Sequence, residues 1–152
     1  MPITARQKLL VKQSFAKVEP IADQAAKIFY TKLFEYDPSL QALFTKSMTE
    51  QGRMLMATLK VAVESLDDID GLVGVLQKLA DRHLKYGVKI EDYTPVGNAL
   101  LYTLKTGLGP AFNLELRKAW IEVYRTVARV MRTQAYPQYD AQRYKNTKRY
   151  KR

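Results

Sequence analysis

The 152-residue sequence predicts an all-helical protein. Three observations lead there. Glycine and proline are few, seven and six, and most of them sit between periodic stretches. Apolar residues recur three or four positions apart, the spacing of one helix face. No alternating apolar–polar run is long enough for a half-buried strand.

Taken in order, Thr4 is placed to cap a first helix whose inner face is Val11, Phe15 and Val18. Pro20 opens a second helix reaching about Phe34, because the N–H that proline lacks would be unpaired in a first turn anyway. That helix turns Ile28, Phe29, Tyr30, Leu33 and Phe34 inward. Asp37-Pro38 repeats the cap-then-proline signal and predicts a short helix to about Leu43, ending at Phe44. The next helix covers roughly Met48 to Leu66, with Gln51, Leu55, Leu59, Ala62/Val63 and Leu66 as its stripe. Gln51 is the polar member, and an amide on an apolar face needs a partner or a ligand. Residues 67–71, Asp-Asp-Ile-Asp-Gly, break the pattern. Leu72 to about Lys85 then carries Val75/Leu76, Leu79/Ala80 and His83 on one face, with Gly87 as the stop. Asp92-Tyr93-Thr94-Pro95 starts a further helix with Val96, Leu100, Leu104 and Leu108 as its stripe. After a loop at Gly107, Gly109 and Pro110, Asn113 caps the last helix. Its buried face is Leu116, Ala119/Trp120, Val123, Val127 and Val130/Met131, and Pro137 ends it.

Composition bounds the chemistry. There is no cysteine, which excludes disulfides, thiolate metal sites, cysteine nucleophiles and a thiol-linked bilin, and makes the cytosol the expected compartment. No apolar run is long enough for a membrane span, and the first residues lack the apolar stretch of a secretory signal. His83 is the only histidine. With no second histidine and no acidic pairs at metal spacing, a structural zinc or di-iron site is not expected. No nucleophile–base arrangement and no glycine-rich phosphate loop occurs. An inward His83 then has two readings: a hydrogen-bonded core imidazole, or the single protein ligand of a haem in an apolar helical pocket.

Several motifs occur in order: Phe29-Tyr30 to Phe34, Pro38 to Leu43-Phe44, Gln51 to Leu55, Arg82-His83 to Tyr86-Gly87-Val88, Tyr93 to Pro95-Val96-Gly97 and Leu100-Leu101, and Ala119-Trp120 to Tyr124. Over residues 4 to 135 the chain resembles the single-domain bacterial haemoglobins, the branch similar to the globin domain of flavohaemoglobins. The resemblance implies a globin fold with helices around a haem b pocket. It implies His83 as the iron ligand, with Nδ1–H bonded to a carbonyl or side chain. Phe44 matches the aromatic packed flat on the porphyrin. Tyr30 and Gln51 match a distal pair able to donate hydrogen bonds to a dioxygen ligand. Leu55, Val88 and Val96 match pocket lining, and Tyr93 a proximal-side tyrosine. In the flavohaemoglobin branch that tyrosine pairs with a glutamate, a position that falls here on Ala135 with Gln134 beside it, so the anionic partner is missing. The chain also ends where reductase domains would follow, so turnover implies an external electron donor.

The net charge of +10 is uneven. Residues 136–152 carry six cations (Arg143, Lys145, Lys148, Arg149, Lys151, Arg152) against Asp140, with four tyrosines among them. This basic tail reads as an arm for an anionic surface or as a solvated, partly disordered end. The domain division expected is 1–135 for the globin body and 136–152 for the tail. The expected function is reversible binding of O2, CO and NO. The alternatives are nitric oxide dioxygenation with an external reductase, and a haem-free globin-like sensor or basic binding module.

Overall fold

The computed structural model describes residues 3–150. Six α-helices form: α1 (Ala5–Val18), α2 (Ala22–Tyr36), α3 (Met48–Glu64), α4 (Ile69–Lys85), α5 (Tyr93–Leu108) and α6 (Leu114–Ala135). No strand occurs among the described residues. Short 3₁₀ turns join the helices at Glu19–Ile21, Pro38–Leu43, Ser65–Asp67, Ile90–Asp92 and Gly109–Ala111.

Local chemistry explains most of the boundaries. Thr4 and Gln7 form a reciprocal capping box on α1, each side chain taking the other's backbone N–H at 3.0 Å. Asn113 caps α6 by accepting from Leu116 N–H at 2.9 Å. Two boundaries move from the sequence expectation. Pro20 sits in the 3₁₀ turn Glu19–Ile21, which accommodates its ring, and α2 starts after it. Helix α4 starts at Ile69, inside the expected break. Asp68 caps it by accepting from Gly71 N–H at 3.1 Å, and a Cβ at Gly71 would run into that carboxylate. The glycine that looks like a breaker is required by the cap.

Helix α2 packs against α5 and α3, α4 against α6, and α1 against α6. The centre holds Val11, Leu33, Leu66, Leu72, Leu76 and Trp120, all almost fully buried. Each such side chain stabilises the fold by about 1.5–3 kcal/mol. The indole N–H of Trp120 donates to Ser14 Oγ at 2.9 Å, and Ser14 donates to the Val11 carbonyl at 3.0 Å, so the deepest polar atoms are paired.

Residues 136–150 do not continue α6. They fold back along the body, with Tyr136, Tyr144, Asn146 and Tyr150 half-buried. These side chains find partners on the turn after α4 and on Arg132 of α6, while Arg143, Lys145, Lys148 and Arg149 stay exposed. Lys151 and Arg152 lie outside the described residues.

Candidate functional site: a helical cavity with one imidazole

A cavity of about 280 Å³ lies between the helices. One wall is Leu40, Leu43 and Phe44, after α2; another is Gln51, Met54, Thr58 and Ala62 of α3. Opposite stand Leu76, Leu79 and His83 of α4, then Val88, Asp92, Tyr93 and Val96, and the floor is Val123, Tyr124, Val127 and Met131 of α6. Lys46, Met54 and Tyr86 are exposed and form the mouth.

His83 sits in the last turn of α4. Its Nδ1 lies 2.9 Å from the Leu79 carbonyl. A carbonyl only accepts, so Nδ1 carries the proton and Nε2 keeps a lone pair. No protein donor reaches Nε2 among the described residues. Burial lowers the imidazole pKa, outweighing the opposing Leu79 bond, with Arg82 lowering it further. The ring is therefore neutral at pH 7 and has one free donor atom in an apolar cavity. The helix ends just beyond it. Gly87 takes φ +94°, and Val88 N–H returns to the His83 carbonyl at 3.1 Å. That turn brings Val88 into the same wall.

Phe44 is held by aromatic packing: Tyr30 meets it edge-on at 5.2 Å between ring centroids, and Phe34 at 5.5 Å. Gln51 lines the cavity, and its side-chain amide has no hydrogen-bond partner among the described residues. What places it is the close approach of α2 and α3. A Cβ at Gly52 would come within 2.8 Å of Ala26 Cβ, so only glycine lets the helices meet here. Beside that contact the Tyr30 hydroxyl donates to the Gln51 carbonyl at 3.2 Å.

Six of the eight expected site residues thus line the one cavity: His83, Phe44, Gln51, Val88, Tyr93 and Val96. Two do not. Tyr30 stands behind the wall with its proton given to the Gln51 backbone, and burial pushes its pKa up to about 12. Leu55 faces a separate pocket of about 20 Å³ with Phe15, Phe29 and Met56. Helix α3 presents its Gln51–Met54–Thr58–Ala62 side to the large cavity, which turns Leu55 toward α2 and α5.

The wall beside His83 holds groups that the sequence reading missed. Tyr124 packs its ring so closely on Gly97 that a Cβ there would lie 2.5 Å from it, and its hydroxyl donates to the Tyr93 carbonyl at 2.5 Å. Its signal was the Trp120–Tyr124 spacing. Gln134 turns outward to Asp81, 3.2 Å away, and Ala135 is buried. The charged group over Tyr93 is instead Arg132, 5.5 Å from the ring centroid, which also donates to the Ile90 carbonyl at 3.0 Å. Asp92 immediately precedes α5 without a side-chain bond to its first turn. Its carboxylate instead closes the preceding turn, accepting from Lys89 N–H at 2.8 Å. It is 4% exposed, and burial raises its pKa despite that bond.

No group of three or more potential metal-binding His, Asp or Glu residues occurs among the described residues, so a metal held by protein alone has no donor set here. The arrangement suits a planar apolar cofactor that brings its own metal and needs one axial nitrogen.

Comparison with known proteins agrees with this geometry. The globin family profile matches residues 27–131. The chain is 30% identical to a neuroglobin from Danio rerio over 143 residues, covering 85% of this chain and 90% of that one. It is 28% identical to a flavohemoprotein from Halalkalibacterium halodurans over 131 residues, 84% of this chain but 32% of that protein. An engineered carbene transferase from Rhodothermus marinus superposes with a TM-score of 0.79 at 24% identity, covering 89% of this chain and 94% of that chain, a likeness of fold.

Proposed function

The chain belongs to the globin family, and from that premise we propose that it holds a b-type haem in the large cavity through His83 and binds O2, CO and NO reversibly. One observation carries the reading. The only histidine in the sequence gives its Nδ1 proton to the Leu79 carbonyl, stays neutral, and lines an apolar cavity with Nε2 unpartnered. A haem bound there would supply an iron able to bind a diatomic ligand.

The chain's own side chains have separable tasks. The Leu79 bond fixes the tautomer and the plane of the His83 ring. Phe44, Val88 and Val96 line the cavity with apolar surface and would exclude water from a cofactor held there. Gln51 is the one neutral amide in the wall and could donate to a polarised diatomic ligand. Tyr30 positions Gln51 through its backbone, and reaches a ligand itself only by giving up its 3.2 Å bond. Lys46 at the mouth suits the carboxylate edge of such a cofactor. The cysteine-free composition fits a cytosolic setting.

Residues 1–135 constitute the ligand-binding body in this reading, and the tail is an addition to it. Likeness to both a neuroglobin and a flavohemoprotein leaves the bacterial single-domain branch as our assignment, supported by the Tyr30 and Gln51 positions. The flavohemoprotein relative also favours a second reading, nitric oxide dioxygenation. Oxidation of nitric oxide to nitrate by dioxygen consumes one electron, so that reading requires an external reductase.

Absorption spectra of oxidised, reduced and CO-treated protein test the primary reading. A Soret band that shifts with CO in wild type, with the axial-histidine signature lost in His83→Ala, is expected. No Soret band after reconstitution with haemin, or an unchanged ferrous spectrum in the variant, overturns it. Mixing the oxygenated protein with nitric oxide and measuring nitrate tests the second reading.

A further inference from the structure

In the segment that runs past His83, the N–H groups of Tyr86, Gly87, Val88 and Asp92 are bonded locally, while several carbonyls find partners farther along the chain. Residues 86–92 lie between α4 and α5, and the carbonyls of three of them are taken by groups from the end of the chain. The Val88 carbonyl accepts from the Tyr136 hydroxyl at 2.6 Å. The Ile90 carbonyl accepts from Arg132 Nε at 3.0 Å. The Glu91 carbonyl accepts from the Tyr150 hydroxyl at 3.0 Å and from Asn146 Nδ2 at 3.4 Å.

A second anchor lies beside the first, on the turn after α2. Lys148 Nζ sits 2.6 Å from Asp37 Oδ2. Asp37 is 6% exposed and caps the Pro38–Leu43 turn, its other oxygen accepting from Ser39 N–H at 3.2 Å and Ser39 Oγ at 2.6 Å. That turn leads directly into Leu43 and Phe44 of the cavity wall. The ammonium is within electrostatic reach of Asp92 as well, where it opposes the repulsion between the two buried carboxylates. The stacking continues the path, since Arg132 lies over the Tyr93 ring at 5.5 Å and the Tyr144 ring at 4.6 Å. The tail is therefore anchored on the body through its tyrosines, Asn146 and Lys148, while Arg143, Lys145 and Arg149 stay exposed.

We propose that residues 136–150 are a latch that ties together two neighbouring segments of the cavity wall: Lys148 on Asp37 holds the turn before Phe44, Tyr136, Asn146 and Tyr150 on the Val88 and Glu91 carbonyls hold the segment after His83, and together they set how often the wall opens to exchange the cavity's contents. Lys148 and Tyr136 are positioning residues, acting through Asp37 and Val88. The latch is independent of what the cavity holds; only the naming of haem as that content rests on the function proposed above.

Hydrogen exchange on the full chain tests it. Lys148→Gln and a chain truncated after Ala135 are expected to exchange the amides of residues 38–44 and 88–92 about tenfold faster than wild type, with α1 and the middle of α6 unchanged. Lys148→Arg restores protection. Raising the salt from 0.05 to 0.5 M should accelerate the same amides in wild type and leave Lys148→Gln flat. Transfer of haemin from the loaded protein to excess apomyoglobin should quicken several-fold in both variants. Unchanged exchange in the two wall segments, or an equal rise across the whole chain, overturns the latch. Absence of haem uptake would overturn the proposed function and leave the exchange result standing.

Discussion

At the scale of single residues, the decisive atoms are the two nitrogens of His83. A carbonyl one turn back takes the proton of one and leaves the other as the only unpaired imidazole donor in the cavity. On the facing wall the structure reorders the pair that sequence suggested. Gln51 lines the cavity, whereas Tyr30 spends its proton on the Gln51 carbonyl. If Gln51 is the main donor, Gln51→Leu should speed O2 release about tenfold, the worth of roughly 1.4 kcal/mol, and Tyr30→Phe by only about two- to threefold. Stopped-flow off-rates in the reverse order would make Tyr30 the donor. Asp92 allows a test with a definite sign. Burial raises its pKa, so the folded state disfavours the charge at neutral pH, and that cost disappears as pH falls through the raised value. Asp92→Asn keeps an acceptor for Lys89 N–H. It should raise Tm at pH 7 by roughly 2–4 °C, what about 1 kcal/mol is worth at this chain length, and give no gain near pH 3. Thermal melts at the two pH values check it.

Among the elements, α3 decides the most. Its stripe read as Gln51, Leu55 and Leu59, yet only one side of that stripe meets the large cavity. The contact between Gly52 and Ala26 sets how near α3 lies to α2. Gly52→Ala should cost about 1–2 kcal/mol, the overpacking penalty less the gain in helix propensity, and the paired change Ala26→Gly should recover part of it. Urea midpoints of the single and double variants measure this. The α5–α6 contact follows the same rule more severely. Gly97→Ala would drive a methyl into the Tyr124 ring and should cost about 2–3 kcal/mol, moving the Tyr93 carbonyl that Tyr124 holds. In each case a glycine within a helix, which propensity alone disfavours, marks a close approach that shapes the site.

The whole molecule is a helical shell around a cavity of about 280 Å³, with its tail bound to two segments of the wall, at Val88 and at Asp37. Such a cavity weakens the empty shell, because its lining lacks partner atoms. A ligand that fills it and binds only the folded state stabilises by mass action. At a thousandfold excess over Kd that amounts to about 4 kcal/mol. Haemin-loaded protein should therefore melt well above the haemin-free form, and His83→Ala should narrow the gap. Equal melting temperatures would mean that the cavity does not hold the cofactor.

Much of this was determined by sequence alone, because it depends on neighbours within one turn. Thr4, Asn113 and the Asp37-Pro38 pair each announce a helix start through a side chain that reaches only two or three residues along the chain. The three-to-four spacing of Val11, Phe15 and Val18 names an inner face for the same reason. His83 was legible as the site's centre because it is the only histidine and faces inward. Tertiary structure alone decided which side of α3 meets the cavity, where the Tyr30 proton goes, and that the tail docks. Those outcomes rest on contacts between residues far apart in sequence, Lys148 with Asp37 at 111 positions. A helical repeat says which residues share a face. How far that face is rotated is set by the small residues at which neighbouring helices touch, and a tail with no period of its own is placed only by the polar groups it finds across the fold.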